Sequence, residues 1–101
     1  MAEIRWTPQA ADDLEALAAY IALDSEHYAC LFVIDIISSI ERLSTTPERG
    51  RIVPEVQNPN VREIFVGNYR IIYRLRASIV EVLTIYHGSR LLVPKNIVFD
   101  E

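Results

Sequence analysis

The stretch Val61–His87, VREIFV-GN-YRIIYRLR-AS-IVEVLTIYH, decides the fold. Three runs rich in β-branched and aromatic residues, Val61 to Val66, Tyr69 to Arg76 and Ile79 to His87, are separated only by Gly67-Asn68 and Ala77-Ser78. A connection that short joins antiparallel neighbours, because parallel strands need a crossover of a dozen or more residues. The stretch is therefore predicted to be an antiparallel meander. In its middle run Tyr69, Ile71, Tyr73 and Leu75 alternate with Arg70, Ile72, Arg74 and Arg76, which makes one face apolar and the other cationic. The apolar face needs a cover.

Working outward, Arg51 to Val56 is predicted as a weak strand or extended loop interrupted by Pro54, and Asn58-Pro59-Asn60 as a turn. The cover comes from the first half of the chain. Ala2, Ile4 and Trp6 alternate with Glu3 and Arg5, the period of a short half-buried strand. Thr7-Pro8 then opens a helix, with the threonine as cap, proline at the first helical position, and Asp12 and Asp13 toward its positive end. Its apolar stripe is Ala11, Leu14, Ala18 and Ile21, and it ends near Leu23. Asp24 and Ser25 cap a second helix, apolar at Phe32, Val33, Ile36, Ile37, Ile40 and Leu43, which stops before Pro47. Two such helices form a hairpin that must lie on a sheet to bury its stripe. The expected class is α+β: an N-terminal strand, an antiparallel helix hairpin, then a three- to four-stranded antiparallel meander. Residues 1–101 form one domain, with the tail from Leu91 to Glu101 either a last strand or a docked segment.

Composition narrows the function classes. Half of the 101 residues are hydrophobic and 24% are charged, the balance of a globular core. Met1 to Pro8 has no signal-peptide character, and no apolar run reaches the roughly 20 residues that span a bilayer, so the expected location is cytoplasmic, away from membranes. The single cysteine, Cys30, is expected to be a buried small apolar side chain. The net charge is -4 but uneven: residues 1–48 hold nine acids and two bases, whereas residues 49–101 hold five acids and eight bases. Basic character belongs to the meander half. His27 has no second His or Cys at metal-ligand spacing, and neither a Gly-rich phosphate loop nor a nucleophile elbow is present. Neither metal nor cofactor is expected. Tyr20 and Tyr28, near the helix turn, are assigned to packing, with an interface anchor as the alternative.

Four segments in order, Gly50-Arg51-Ile52-Val53-Pro54-Glu55, Val61-Arg62-Glu63-Ile64, Gly67-Asn68-Tyr69-Arg70-Ile71-Ile72-Tyr73-Arg74 and Tyr86-His87-Gly88-Ser89-Arg90, resemble the ParE branch of the ParE/RelE toxin superfamily. Trp6-Thr7-Pro8 with Ala10-Ala11-Asp12-Asp13-Leu14 resembles that family's first strand and helix. The resemblance spans roughly residues 2 to 90. It implies the toxin of a type II toxin–antitoxin pair of the plasmid-stabilisation kind, silenced by a cognate antitoxin encoded beside it, as a homodimer or a toxin–antitoxin hetero-oligomer. ParE-like members poison DNA gyrase without being nucleases. RelE-like members cut messenger RNA on the ribosome.

The resemblance also implies candidate residues. Arg62, Arg70 and Arg90 stand where RelE-like toxins place cations around the scissile phosphate, a task suited to guanidinium groups, which grip two oxygens and stay ionised. The alternative is that they pair across the sheet with Glu55, Glu63 or Glu81. A nuclease would use Arg70, Arg90 and His87 as catalytic residues; target or phosphate binding would draw on Arg62, Arg70, Arg90 and Tyr86. Tyr86 and His87 are consecutive in a strand, so at most one shares the arginine face. Simple alternation groups His87 with Ile79, Glu81, Leu83 and Ile85, which leaves it as a hydrogen-bonded histidine at the strand end and Tyr86 as a packing aromatic. Two departures weaken the nuclease reading. The tail after Arg90 has no tyrosine or histidine, and Lys95 is the one lysine where RelE-like toxins carry a pair. The gyrase-directed mode is therefore the expected one; a ribosome-dependent mRNA endonuclease, or a non-toxic interaction module on a toxin fold, is the alternative.

Overall fold

The computed structural model describes residues 1–89, so Arg90 and the expectation for the tail from Leu91 lie outside the described residues. The elements run β1 (Glu3–Trp6), α1 (Pro8–Ala22), α2 (Glu26–Glu41), a 3-10 turn (Arg42–Ser44), β2 (Arg51–Ile52), β3 (Val61–Val66), β4 (Tyr69–Arg76) and β5 (Ile79–His87). The meander forms as expected, with β3, β4 and β5 paired antiparallel. β2 pairs with β3 for two residues and stops where Pro54 would interrupt the ladder. β1 joins the same sheet, parallel to β5 from Glu3–Ile79 to Trp6–Val82, giving five strands in the order β1-β5-β4-β3-β2.

Both helix starts match the capping residues in the sequence. The Thr7 hydroxyl accepts from the Ala10 N–H at 3.2 Å and donates to the Val82 carbonyl at 2.8 Å, so the cap of α1 is also a clasp onto β5. Ser25 accepts from the Tyr28 N–H and caps α2. Asp13 serves the sheet rather than the first turn. Beyond Val82, where β1 has ended, its carboxylate accepts from the Thr84 hydroxyl at 2.6 Å and from the Ile85 N–H at 3.2 Å.

The helices lie on one face of the sheet, where Ala10, Ile36, Ile40, Ile71, Val82 and Ile85 form the main core with Leu14, Leu17 and Phe32 around it. The α1 stripe drawn from the sequence is rotated relative to the one that packs on the sheet. Ala10 is fully buried and Ala11 exposed, because apolar residues cover more of this helix than the sheet can bury. Cys30 corrects its expectation: it is exposed, since the sheet-facing row of α2 runs through Ala29, Ile36 and Ile40. Tyr20 and Tyr28 are also exposed, at 72% and 66%.

A bulge divides the sheet. Ile72 pairs with Thr84 and Tyr73 with Val82, which leaves Leu83 without a partner. Strict alternation breaks there: Val82 and Ile85 both reach the helix-side core, whereas Leu83 joins Val53, Val61 and Ile72 in a second cluster bordered by Val56 and Tyr86. Since Ile71 and Ile72 are adjacent in one strand, this cluster lies on the face away from the helices.

Tyr73 ties the loop after α2 to the sheet. Its buried hydroxyl accepts from the Gly50 N–H at 2.9 Å and donates to the Pro47 carbonyl at 2.8 Å. Gly50 is required by close approach, because a Cβ there would sit 2.6 Å from the Glu63 carbonyl oxygen and the Tyr73 hydroxyl. Tyr73→Phe should cost about 1–3 kcal/mol, the penalty for leaving buried polar groups unpaired, measured as a lower urea midpoint at unchanged slope.

Candidate functional site

The sheet face away from the helices carries the alternating arginines, but the chain folds back over it. Val53 is fully buried against Ile72 and Leu83, and this anchors the turn after β2 above the strands. Glu55, carried on that turn, reaches Arg70. The Arg70 Nη1 and Nη2 atoms donate to the two Glu55 carboxylate oxygens at 3.0 and 3.1 Å, a bidentate fork. On its other side, Arg70 Nε donates to Glu63 Oε1 at 2.6 Å, and Nη2 also pairs with that carboxylate. Arg51 Nε donates to the second oxygen of Glu63. Two cations and two carboxylates thus close on one another, with Arg70 only 5% exposed and Glu63 1%.

Tyr86 completes the cluster. The Arg70 guanidinium carbon lies 5.4 Å from its ring centroid, within cation–π range. The Tyr86 hydroxyl is buried without a hydrogen-bond partner, and burial raises its pKa. The Arg70 hydrogen bond holds the Glu55 carboxyl below its ordinary value, and Arg70 is itself held more firmly protonated, first by Glu55 and then by Glu63.

The other candidates are dispersed. Arg62, next to Glu63 in β3, points to the opposite face and donates from Nη1 to the Gly50 carbonyl at 2.9 Å; its Nε is buried without a partner. Arg74 Nε donates to Glu81 at 2.7 Å, so the cross-strand partner of that acid is Arg74 and not the Arg62 or Arg70 weighed from the sequence. His87 lies on the helix side with its ring 5.3 Å from that of Tyr69, and its Nδ1 is 2.6 Å from the Ser89 hydroxyl. The structure therefore brings Arg70 and Tyr86 together and separates both from Arg62 and His87. The bulge at Leu83 is the reason: it moves Tyr86 onto the arginine face and His87 off it. Asp13 went unassigned as a strand-binding group, since its aspartate looked like an ordinary helix-start acid. Among the described residues no three His, Cys, Asp or Glu side chains gather as a metal site.

Comparison with known proteins follows the fold. The family model described as the ParE toxin of the type II toxin–antitoxin system parDE matches residues 4–92. The chain belongs to the ParE toxin family. A relative named Toxin RelE2, from Caulobacter vibrioides, is 32% identical over 92 residues, which is 90% of this chain and all of that protein. Among solved structures, the chromosomal ParDE toxin–antitoxin system of P. aeruginosa matches with a TM-score of 0.71 and 26% identity, covering 86% of this chain and 96% of that one. The RelBE2 toxin–antitoxin complex of Mycobacterium tuberculosis shares the fold, with a TM-score of 0.63 at 22% identity over 85% of this chain and 96% of that one. This ParE-family chain is thus the toxin type of protein in a type II system. None of its described helices is long and apolar enough to cross a membrane.

The ion cluster makes two checkable claims. Glu63→Ala leaves two guanidiniums facing a buried gap and should destabilise by about 3–5 kcal/mol in chemical denaturation, the usual cost of breaking a buried pair. Glu55 titrates below its ordinary value of 4.5, so its contribution is complete above that pH and disappears as pH falls through the lowered folded pKa. The stability gap between wild type and Glu55→Gln should accordingly be flat at neutral pH and shrink below about pH 4.5.

Proposed function

We propose that this ParE-family toxin arrests growth by acting on DNA gyrase and replication, and that a cognate antitoxin, encoded by the adjacent gene, neutralises it by direct binding. The observation that carries the gyrase-directed reading is the engaged guanidinium of Arg70. A metal-free ribonuclease needs cations free to hold a phosphate and offset the charge that develops during cleavage. Here all three Arg70 nitrogens are committed to Glu55 and Glu63. The proton-transfer candidate His87 stands on the other face, turned toward Tyr69. On this reading Arg70 organises the face, and the toxin acts through contact rather than through bond cleavage.

A second reading, ribosome-dependent mRNA cleavage, is favoured by the name of the Caulobacter relative, Toxin RelE2, and by Tyr86 standing beside Arg70. The two separate in a short experiment: induce the protein alone in a bacterial host and follow labelled thymidine and leucine over the first minutes. Early loss of thymidine incorporation with leucine incorporation intact is the expected result. Early loss of leucine incorporation would replace the gyrase reading with the nuclease. Unimpeded growth in the native host would leave neither.

A further inference from the structure

β5 outruns the strand beside it. β1 pairs with it only as far as Trp6 and Val82, whereas β5 continues to His87. Past Val82 the edge of β5 borders an open cavity of about 640 Å³, walled on the other side by α1. Asp13, Tyr20, Tyr69, Tyr86, His87 and Ser89 give the lining its chemistry. Asp13, Leu17 and Tyr20 recur at intervals of four and three, so α1 presents them along one row, and the small side chain of Ala16 beside them keeps the space open. Tyr69 is fixed by its neighbours, its ring centroid 4.8 Å from that of Phe32 and 5.3 Å from that of His87. Among the described residues around the cavity none is a lysine or an arginine.

Two oxygens of these side chains are left without partners. Asp13 holds the sheet through Oδ2 alone, which accepts from Thr84 and Ile85; its Oδ1 meets neither a hydrogen-bond donor nor a cation among the described residues. The Tyr86 hydroxyl is buried and also lacks a partner among them. Both oxygens can accept, and most of the remaining lining is aromatic. A nitrogen cation suits such a setting, because its N–H groups meet the oxygens while its charge meets the ring faces. An anion would face the carboxylate, and a neutral apolar group would bury it unpaired. Charge balance agrees. The guanidinium of Arg70 lies beside the Tyr86 ring, but Arg70 and Arg51 are offset by Glu55 and Glu63, so that cluster is neutral and Asp13 is the one fixed charge of the described lining. We infer that the cavity between α1 and the open edge of β5 binds an organic cation, an ammonium or guanidinium group, with Asp13 as counter-ion and Tyr20 and Tyr69 as aromatic walls. Such a head is borne by free polyamines and by the basic side chains of polypeptides. The site is separate from the arginine face and does not depend on which target the toxin acts on.

The test titrates the full chain with spermidine and with Nα-acetyl-lysine amide while backbone amide signals are followed by NMR. Saturable binding with a dissociation constant of about 1 mM or below is expected, with the largest shifts at Thr84, Ile85 and His87. Tighter binding of spermidine assigns the site to a free polyamine, and tighter binding of the lysine amide assigns it to a residue of a polypeptide. The lysine amide acetylated on Nε, which has lost its charge, should not bind. Asp13→Asn keeps an acceptor for Thr84 and Ile85 but removes the charge, so it should weaken binding at least about tenfold, a loss of about 1.4 kcal/mol. Tyr20 is 72% exposed, so Tyr20→Leu should fold like wild type. It should bind about threefold more weakly, whereas Tyr20→Phe, which keeps the ring, should bind normally. Shifts spread equally over Asp12, Glu15 and Glu26, and unaltered by Asp13→Asn and Tyr20→Leu, would reduce the binding to attraction between a cation and an acidic surface and overturn the inference. No saturation of wild type by about 10 mM of either probe would overturn it as well. So would binding that appears only once Arg90 and Lys95 are both changed to alanine, since the occupant would then be the chain's own side chain.

Discussion

A carboxylate in the middle of a sheet has to be neutralised where it sits, and Glu63 sets that condition for one whole face of this molecule. Its side chain is withdrawn from water, so both oxygens need cationic donors, which Arg70 and Arg51 supply. Arg70 then has its remaining N–H groups turned toward the turn after β2, and Glu55 answers them. Burial of Val53 brings that turn within reach. The alternating arginines of β4 look like an open cationic surface in isolation; the demands of one buried acid turn their centre into a closed network. Such networks add less stability than their contacts suggest, because desolvation offsets the attraction, but they penalise any arrangement that leaves a member unpaired.

The bulge at Leu83 acts alongside this constraint. One extra residue in β5 keeps Val82 and Ile85 both in the helix-side core, and it sends Tyr86 to the arginine face. Two faces of different chemistry therefore share a single strand. Asp13 reinforces the arrangement from α1 by holding Thr84 and Ile85 next to the irregular position.

Much of this was legible from local pattern. The strand spacing after Val61, the Thr7 and Ser25 caps and the end of α2 before Pro47 all follow from short-range rules, and the structure follows them. The alternating faces of β4 could be read as well, including which one the helices cover. Pairing of the arginines with Glu55 and Glu63 was foreseeable as an alternative, but not its completeness, because that depends on a loop returning over the sheet. The positions of Tyr86 and His87 relative to Arg70 were not legible. They hinge on one bulge, and the run Ile79 to His87 contains no glycine or proline to announce it. Cys30 was misplaced for a similar reason. When a helix is apolar on more than one side, composition does not say which side meets the sheet.

The parallel pairing of β1 with β5 has a consequence for how the chain is made. Glu3 lies against Ile79 and Trp6 against Val82, so the first strand meets its neighbour only after three quarters of the polypeptide exists. The cap of α1 likewise waits for Val82. During synthesis the two helices emerge first, with an apolar stripe and no sheet to bury it, and contacts this distant in sequence form late. The nascent protein therefore has no completed sheet until β5 has left the ribosome. The sheet of the described residues thus closes only when β5 is set against β1, whose residues were made first.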